Sequence, residues 1–171
     1  TALTPEHMEY FSGIEAVAEE ELSVASFSKK LLLNSDLCPS ELTQSYSGTF
    51  LSYGVESEAT YKSTDVAFSA EGAHFTVLKD RQEWLMLEND SFSDVQIYSL
   101  TAAAAVADML EATKVAIVAG VLKVQPVAGR MQRLKGIKNS TIIDDSYNAS
   151  PDAVKAAVRT LIRLPAPQKI A

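Results

Sequence analysis

The sequence predicts an α/β fold with a β-rich insertion, and three observations predict it. Apolar residues recur at helical spacing early in the chain, and an Ala-rich helical stretch begins near residue 97. Between them, residues 49 to 87 switch to a period of two, in short runs rich in β-branched and aromatic residues. Near the end, "STIIDDSYNASPDAV" reads as strand, polar loop and helix start in direct succession.

Taken in order, "TALTPEHMEYF" is a loop-like opening with Pro5. Ser12 followed three residues later by Glu15 is a capping-box pattern, which predicts a helix from near Gly13. Ile14, Val17, Ala18, Val24 and Ala25 form its apolar face. "LLLNSD" predicts a buried strand ending in Asn34 and Asp36. "TFLSYGV", "ATYKSTDVAFSA", "AHFTVLKD" and "EWLMLE", divided by turn signals such as "EGA" and "KDRQ", predict an antiparallel meander. Helices are expected at residues 97 to 112 and within "KVAIVAGVLKVQPV". "STIIDD" is a strand, and Ser150-Pro151-Asp152 supplies an N-cap with proline in the first turn of a last helix. "APQKIA" reads as a linker and the first residues of another strand.

A length of 171 residues suits one domain with a substantial core, and the fractions of 47% hydrophobic and 22% charged residues are those of a globular chain. The net charge of −7 excludes the basic stripe that a nucleic-acid footprint requires. Cys38 is the only cysteine, so an internal disulfide and a multi-cysteine metal cluster are excluded, and the usage suits a reducing cytoplasm. The most apolar stretch, residues 100 to 122, is broken by Asp108, Glu111 and Lys114 and predicts no membrane span. The start at Thr1 and the end at "KIA" suggest part of a longer protein.

Chemistry concentrates where the last strand meets the last helix. Ligands of open α/β sheets bind beyond the carboxyl ends of strands. Asp144, Asp145, Ser146, Tyr147 and Asn148 occupy such a place. A carboxylate there can accept ribose hydroxyls and an asparagine amide can read an adenine edge, while an Asx-turn before a helix cap explains the same residue types more simply. Arg130 in "GRMQRL" could clamp a phosphate bidentately, or be an ordinary surface residue. His7 could ligate a metal; His74, inside a strand pattern, is read as structural. Glu21 falls in the middle of the first helix's apolar face, where a carboxylate is costly unless paired or bound to a cation. His7 and Glu21 could therefore reach one Mg²⁺ ion.

Together these pieces resemble the Mur ligases, the ATP-dependent amide-forming enzymes of peptidoglycan assembly, and among them the branch that adds D-alanyl-D-alanine to the UDP-muramoyl tripeptide. "GRMQRLKGIKNSTIIDDSYNASPDAVKAAVRTL" follows that branch's "GR(L/M)…G…IIDDSYNANPDSM" pattern almost position by position. "TPEHMEYFSGIEAVA" is similar to its "PAHLENFGSLE", and "LLLNSDLCP" to its "LNADDP".

The resemblance implies a mostly parallel sheet flanked by helices with a small antiparallel β-meander. Residues 1 to 165 would be the later part of the central ATP-binding domain, and 166 to 171 a linker and the start of the carboxy-terminal ligase domain. It implies ATP and Mg²⁺ as cofactors, and UDP-MurNAc-peptide and D-alanyl-D-alanine as partners of the whole protein. By the same resemblance, ATP phosphorylates a carboxylate and an amine attacks the acyl phosphate. Arg130 is then the catalytic residue on the nucleotide phosphates, Asp145 binds ribose and Asn148 lies at the base. His7 ligates Mg²⁺, and Glu21 stands where many members carry a carbamylated lysine. The family's "HN" before the Ala-rich helix is Val95-Gln96 here, which offers Gln96 for the adenine contact. The chain contains no G-x-x-G-K-[ST] phosphate loop; the resemblance places that loop upstream of Thr1, so the chain alone is expected to be inactive. The alternatives are a folylpolyglutamate or cyanophycin synthetase relative, which "DDSYNASPD" argues against, and a non-catalytic binding module.

Overall fold

A computed structural model of the chain describes residues 10–38, 49–69 and 72–171. Its elements are helix α1 (Ile14–Leu22), strand β1 (Lys30–Asn34), strands β2 (Thr49–Gly54), β3 (Tyr61–Phe68), β4 (Ala73–Lys79) and β5 (Gln82–Asn89), helices α2 (Asp94–Met109) and α3 (Lys114–Val121), strands β6 (Gln132–Lys135) and β7 (Thr141–Asp144), and helix α4 (Pro151–Arg163). One five-stranded sheet runs in the order β1-β2-β3-β4-β5, and β6 and β7 form a separate two-stranded sheet.

The α/β class and the helices follow the sequence, but the sheet is mixed. β1 pairs with β2 in parallel, and β2 with β3 in parallel through Tyr53 opposite Tyr61. Only β3, β4 and β5 form the antiparallel meander. The expectation of four antiparallel runs is thus corrected at its first member. Period two marks a strand but not its direction, which the connection decides. The β4–β5 turn matches its sequence signal: Asp80 and Arg81 both take positive φ, as a tight two-residue hairpin requires.

α2 crosses β2 and β3, and α3 lies on β5. Between them Tyr61, Phe75, Val77, Leu87, Ile97 and Ala105 are packed out of solvent. One polar pair is admitted to this core: Ser63 Oγ and Thr101 Oγ1 lie 2.6 Å apart, and Thr101 Oγ1 donates to the Ile97 carbonyl at 2.7 Å. A smaller cluster of Ala18, Leu31, Leu33 and Cys38 joins α1 to β1, with the cysteine as a buried hydrophobe.

Three details of the first helix differ from expectation. Ser12 makes no cap; Gly13 is the N-cap, without a side-chain bond. The α-helix stops at Leu22 and tightens into a 3₁₀ turn over Ser23–Phe27, so the 3.6-residue period does not extend to Ala25. Glu21, still within the α-helix, is exposed like Glu19 and Glu20, and the buried residues are Val17 and Ala18. The buried carboxylate inferred from the spacing is not there.

At the other end of the chain, β7 is present where expected but is half-buried to exposed, not buried, because it pairs with β6 outside the main sheet. α4 begins with the Ser150 Oγ accepting from the Ala153 N–H at 3.2 Å and with proline in its first turn, as read from the sequence. Residues 165 to 171 carry no helix or strand. No helix among the described residues is long and apolar enough to cross a membrane.

Candidate functional site

A cleft of about 460 Å³ opens between the main sheet and the β6–β7–α4 unit. Gln96, Arg130, Asp145 and Asn148, four residues singled out from the sequence, all line it. They come from three segments: the first turn of α2, the loop before β6 and the loop after β7.

The α2 wall rests on a capping box. Ser93 Oγ accepts from the Gln96 N–H, and Gln96 Oε1 accepts from the N–H groups of Phe92 and Ser93 at 3.0 and 3.2 Å. Gln96 Nε2 donates to the Met131 carbonyl at 3.4 Å, which ties the helix to the opposite loop. Its amide is therefore employed at both ends in holding the wall. The helix begins three residues earlier than the Ala-rich run implies, and "SDVQ" is the signal that marks its true start.

Asn89, which the sequence reading does not single out, is a buried and fully bonded polar residue of the cleft. It is buried at the end of β5, its Nδ2 donates to the carbonyls of Val121 and Val124 at 2.8 and 3.0 Å, and its Oδ1 accepts from the Ser91 N–H and hydroxyl. It thereby joins the sheet to the end of α3 and the loop that follows. Its signal is readable: in "LMLEN" the inward positions Leu85 and Leu87 are followed, two residues on, by an asparagine. A polar residue on a buried face needs partners.

The two aspartates after β7 have separate jobs. Asp144 Oδ1 accepts from the Ser146 N–H at 3.1 Å, which is the Asx-turn. Asp145 faces the cleft, and its Oδ1 accepts from the Met131 N–H at 3.0 Å. That bond holds a buried non-glycine residue at φ 49°. Among the described residues the second carboxylate oxygen of Asp145 accepts no hydrogen bond. Asn148 uses its Oδ1 on the Ala149 N–H at 2.9 Å, and among the described residues its NH₂ group donates to nothing. The Arg130 guanidinium lies over the Tyr147 ring, 4.1 Å from its centre, and among the described residues makes no hydrogen bond or ion pair. Ala153, Ala156 and Ala157 on α4 and the apolar Val95, Leu100 and Val127 complete the walls. Small side chains on one helix face keep the cleft open, and a few polar groups on apolar walls are the usual make-up of a small-molecule site.

Of the two sequence-predicted metal ligands, only Glu21 is among the described residues. His7 lies outside the described residues, Glu21 is exposed on α1, and no group of three His, Cys, Asp or Glu among the described residues could hold a metal ion. His74 is exposed on β4, with Nδ1 3.6 Å from Glu88.

Away from the cleft, Asp36 is a structural anchor. Its carboxylate accepts from the N–H groups of Val55, Glu56 and Ser57 at 2.8, 3.0 and 2.6 Å and from the Tyr98 hydroxyl at 2.9 Å. Partial burial pushes its pKa up, but the bonds from Val55, Glu56 and Ser57 outweigh that and hold it at about 2. Burial and the bond to Asp36 push the Tyr98 hydroxyl well above its ordinary value. Asp36 thus ties the end of β1 to the β2–β3 loop and to α2.

Comparison with known proteins bears on the family and the fold. The family model described as the Mur ligase middle domain matches residues 1–107. The UDP-N-acetylmuramoyl-tripeptide–D-alanyl-D-alanine ligase of Bacillus subtilis is 26% identical over 166 residues, covering 93% of this chain and 34% of that protein. The UDP-N-acetylmuramoyl-L-alanyl-D-glutamate–2,6-diaminopimelate ligase of Halalkalibacterium halodurans is 25% identical with the same coverage. The crystal structure of MurF ligase from Thermotoga maritima in complex with ADP superposes with a TM-score of 0.80 at 20% identity, over 95% of this chain and 38% of that one, which establishes the fold. The chain spans about a third of the length of these relatives.

Proposed function

The chain belongs to the Mur ligase family, and from that premise we propose that it forms the nucleotide-binding cleft of a cytoplasmic, ATP-dependent amide-bond ligase that adds D-alanyl-D-alanine to UDP-MurNAc-tripeptide. The observation that carries the nucleotide assignment is the convergence of Arg130, Asp145 and Asn148 on one cleft, each with hydrogen-bonding capacity unused by the described residues.

Each group suits one part of a nucleotide. The open carboxylate oxygen of Asp145 accepts a ribose hydroxyl. The Asn148 NH₂ donates to an acceptor on the base edge. Arg130 presents five donors to phosphate oxygens, and in a ligase its positive charge also stabilises the charge that develops as the γ-phosphoryl group moves to a substrate carboxylate. Gln96 holds the α2 wall rather than spending its amide on the base. Mg²⁺ is proposed on family resemblance, with His7 and Glu21 as its ligands. The preference for D-alanyl-D-alanine over another amino substrate rests on the "DDSYNASPD" pattern, since relatives of both types match at similar identity.

The test is phosphate release from ATP by the full-length protein with UDP-MurNAc-tripeptide and D-alanyl-D-alanine and, in turn, with UDP-MurNAc-L-alanyl-D-glutamate and diaminopimelate. Release that depends on D-alanyl-D-alanine is expected, with Arg130→Ala raising the KM for ATP. Release that depends on diaminopimelate would overturn the substrate, and no release with either would overturn the ligase reading.

A further inference from the structure

We propose that Tyr147 is a positioning residue for Arg130, holding the guanidinium stacked at the cleft so that its edge remains open to a nucleotide phosphate. The inference rests on the nucleotide reading and adds a residue to it.

Tyr147 does not line the cleft and is 71% exposed, yet the main chain around it is tightly specified. Its N–H donates to the Gly129 carbonyl at 3.1 Å. Gly129 has φ +72°, and a Cβ there would lie 3.2 Å from the Tyr147 nitrogen and 3.3 Å from its Cβ. Glycine is therefore required both for the turn and for the approach of the tyrosine. On the other side of Arg130, the Met131 N–H donates to Asp145. The residues immediately before and after Arg130 are thus each tied to the loop that carries Tyr147, and the ring meets the guanidinium at 4.1 Å.

That contact holds the guanidinium over the ring, while among the described residues its N–H groups make no hydrogen bond. A flexible arginine on a loop has many rotamers, and an anion that binds it must order the side chain first. A ring that already holds the group removes part of that loss. At an exposed site a cation–π contact corresponds to about a two- to five-fold effect in an equilibrium constant.

The experiment is calorimetric titration of the full-length protein with ADP and, separately, with adenosine, which has no phosphate. Tyr147→Ala is expected to weaken ADP about two- to five-fold and leave adenosine unchanged. Tyr147→Phe, which keeps the ring, should retain the parent's affinity. In an Arg130→Ala background, Tyr147→Ala should add nothing further. Equal losses for ADP and adenosine, or an undiminished loss in the Arg130→Ala background, would show that the tyrosine acts on something other than the arginine and overturn the inference. ADP binding unchanged by Tyr147→Ala would overturn it alone. Absence of ADP binding by the parent protein would overturn the nucleotide reading together with it.

Discussion

The two sides of the cleft are built in different ways. On the sheet side, Ala73, Val77, Ile97 and Ala105 are each 0% exposed, and strands and helices share one continuous core. On the other side, α4 buries only Thr160, while Val154, Val158 and Ile162 on that helix and Ile142 on β7 face solvent among the described residues. The first side is held by removal of apolar surface from water. The second is held by individual polar bonds: the Ser150 cap, the Asx-turn at Asp144, the Met131–Asp145 and Tyr147–Gly129 bonds, and one Arg163 nitrogen shared between the two Asp94 carboxylate oxygens on α2. A site of this kind has one rigid wall and one wall set by polar contacts. The three groups assigned to the nucleotide all stand on the second wall.

The comparison breaks most readily at the core. Ile97→Ala should cost about 2–5 kcal/mol in urea unfolding, because it opens a cavity in a site with no exposure, whereas Val158→Ala on exposed α4 should cost less than about 1 kcal/mol. Similar costs for the two would refute the asymmetry. Asn89→Ala comes next, with an expected loss of about 1–3 kcal/mol, since it strands the Val124 carbonyl and the Ser91 N–H and removes one of the two donors to the Val121 carbonyl. The same change should weaken nucleotide binding by loosening the loop after α3; unaltered affinity would separate Asn89 from the site.

Asp36→Asn tests the polar anchor on the sheet side through pH. The folded pKa of about 2 lies below the ordinary 3.8, so between those values the unfolded chain binds more protons than the folded one. The stabilisation is fully present above about pH 4 and is lost as pH falls towards 2. Unfolding midpoints measured from pH 6 down to 2.5 should converge for the parent and Asp36→Asn; a gap that stays constant would mean that the charge is irrelevant. The smallest effect belongs to Arg163→Ala. Its pair with Asp94 is well exposed, so a loss of about 0.2–1 kcal/mol is expected, sensitive to added salt.

Some of this was legible beforehand. The Ser150-Pro151 start of α4, the hairpin turn at Asp80-Arg81 and the strand before Asp144 all carry local signals, and local signals need no knowledge of partners. That Arg130 meets Asp145 and Asn148 is implied beforehand only by the resemblance, because residues 15 and 18 positions away share a cleft with it only once the chain has folded. Glu21 misled for a related reason. Helical spacing puts Glu21 on the side of Val17 and Ala18, but only those two positions of α1 are buried, since periodicity tells which residues share a face and not how far neighbouring elements cover it.

The sequence by itself determined where the elements lie, the class of fold and the polar loop that meets the cleft, since periodicity, caps and turn residues act over a few positions. Only the tertiary structure decided that β2 runs parallel to its neighbours, that β7 stands outside the main sheet, that Gln96 is spent on its own helix and that Tyr147 lies against Arg130. Those outcomes depend on contacts between segments far apart in the chain, and pattern within a segment does not specify its partner.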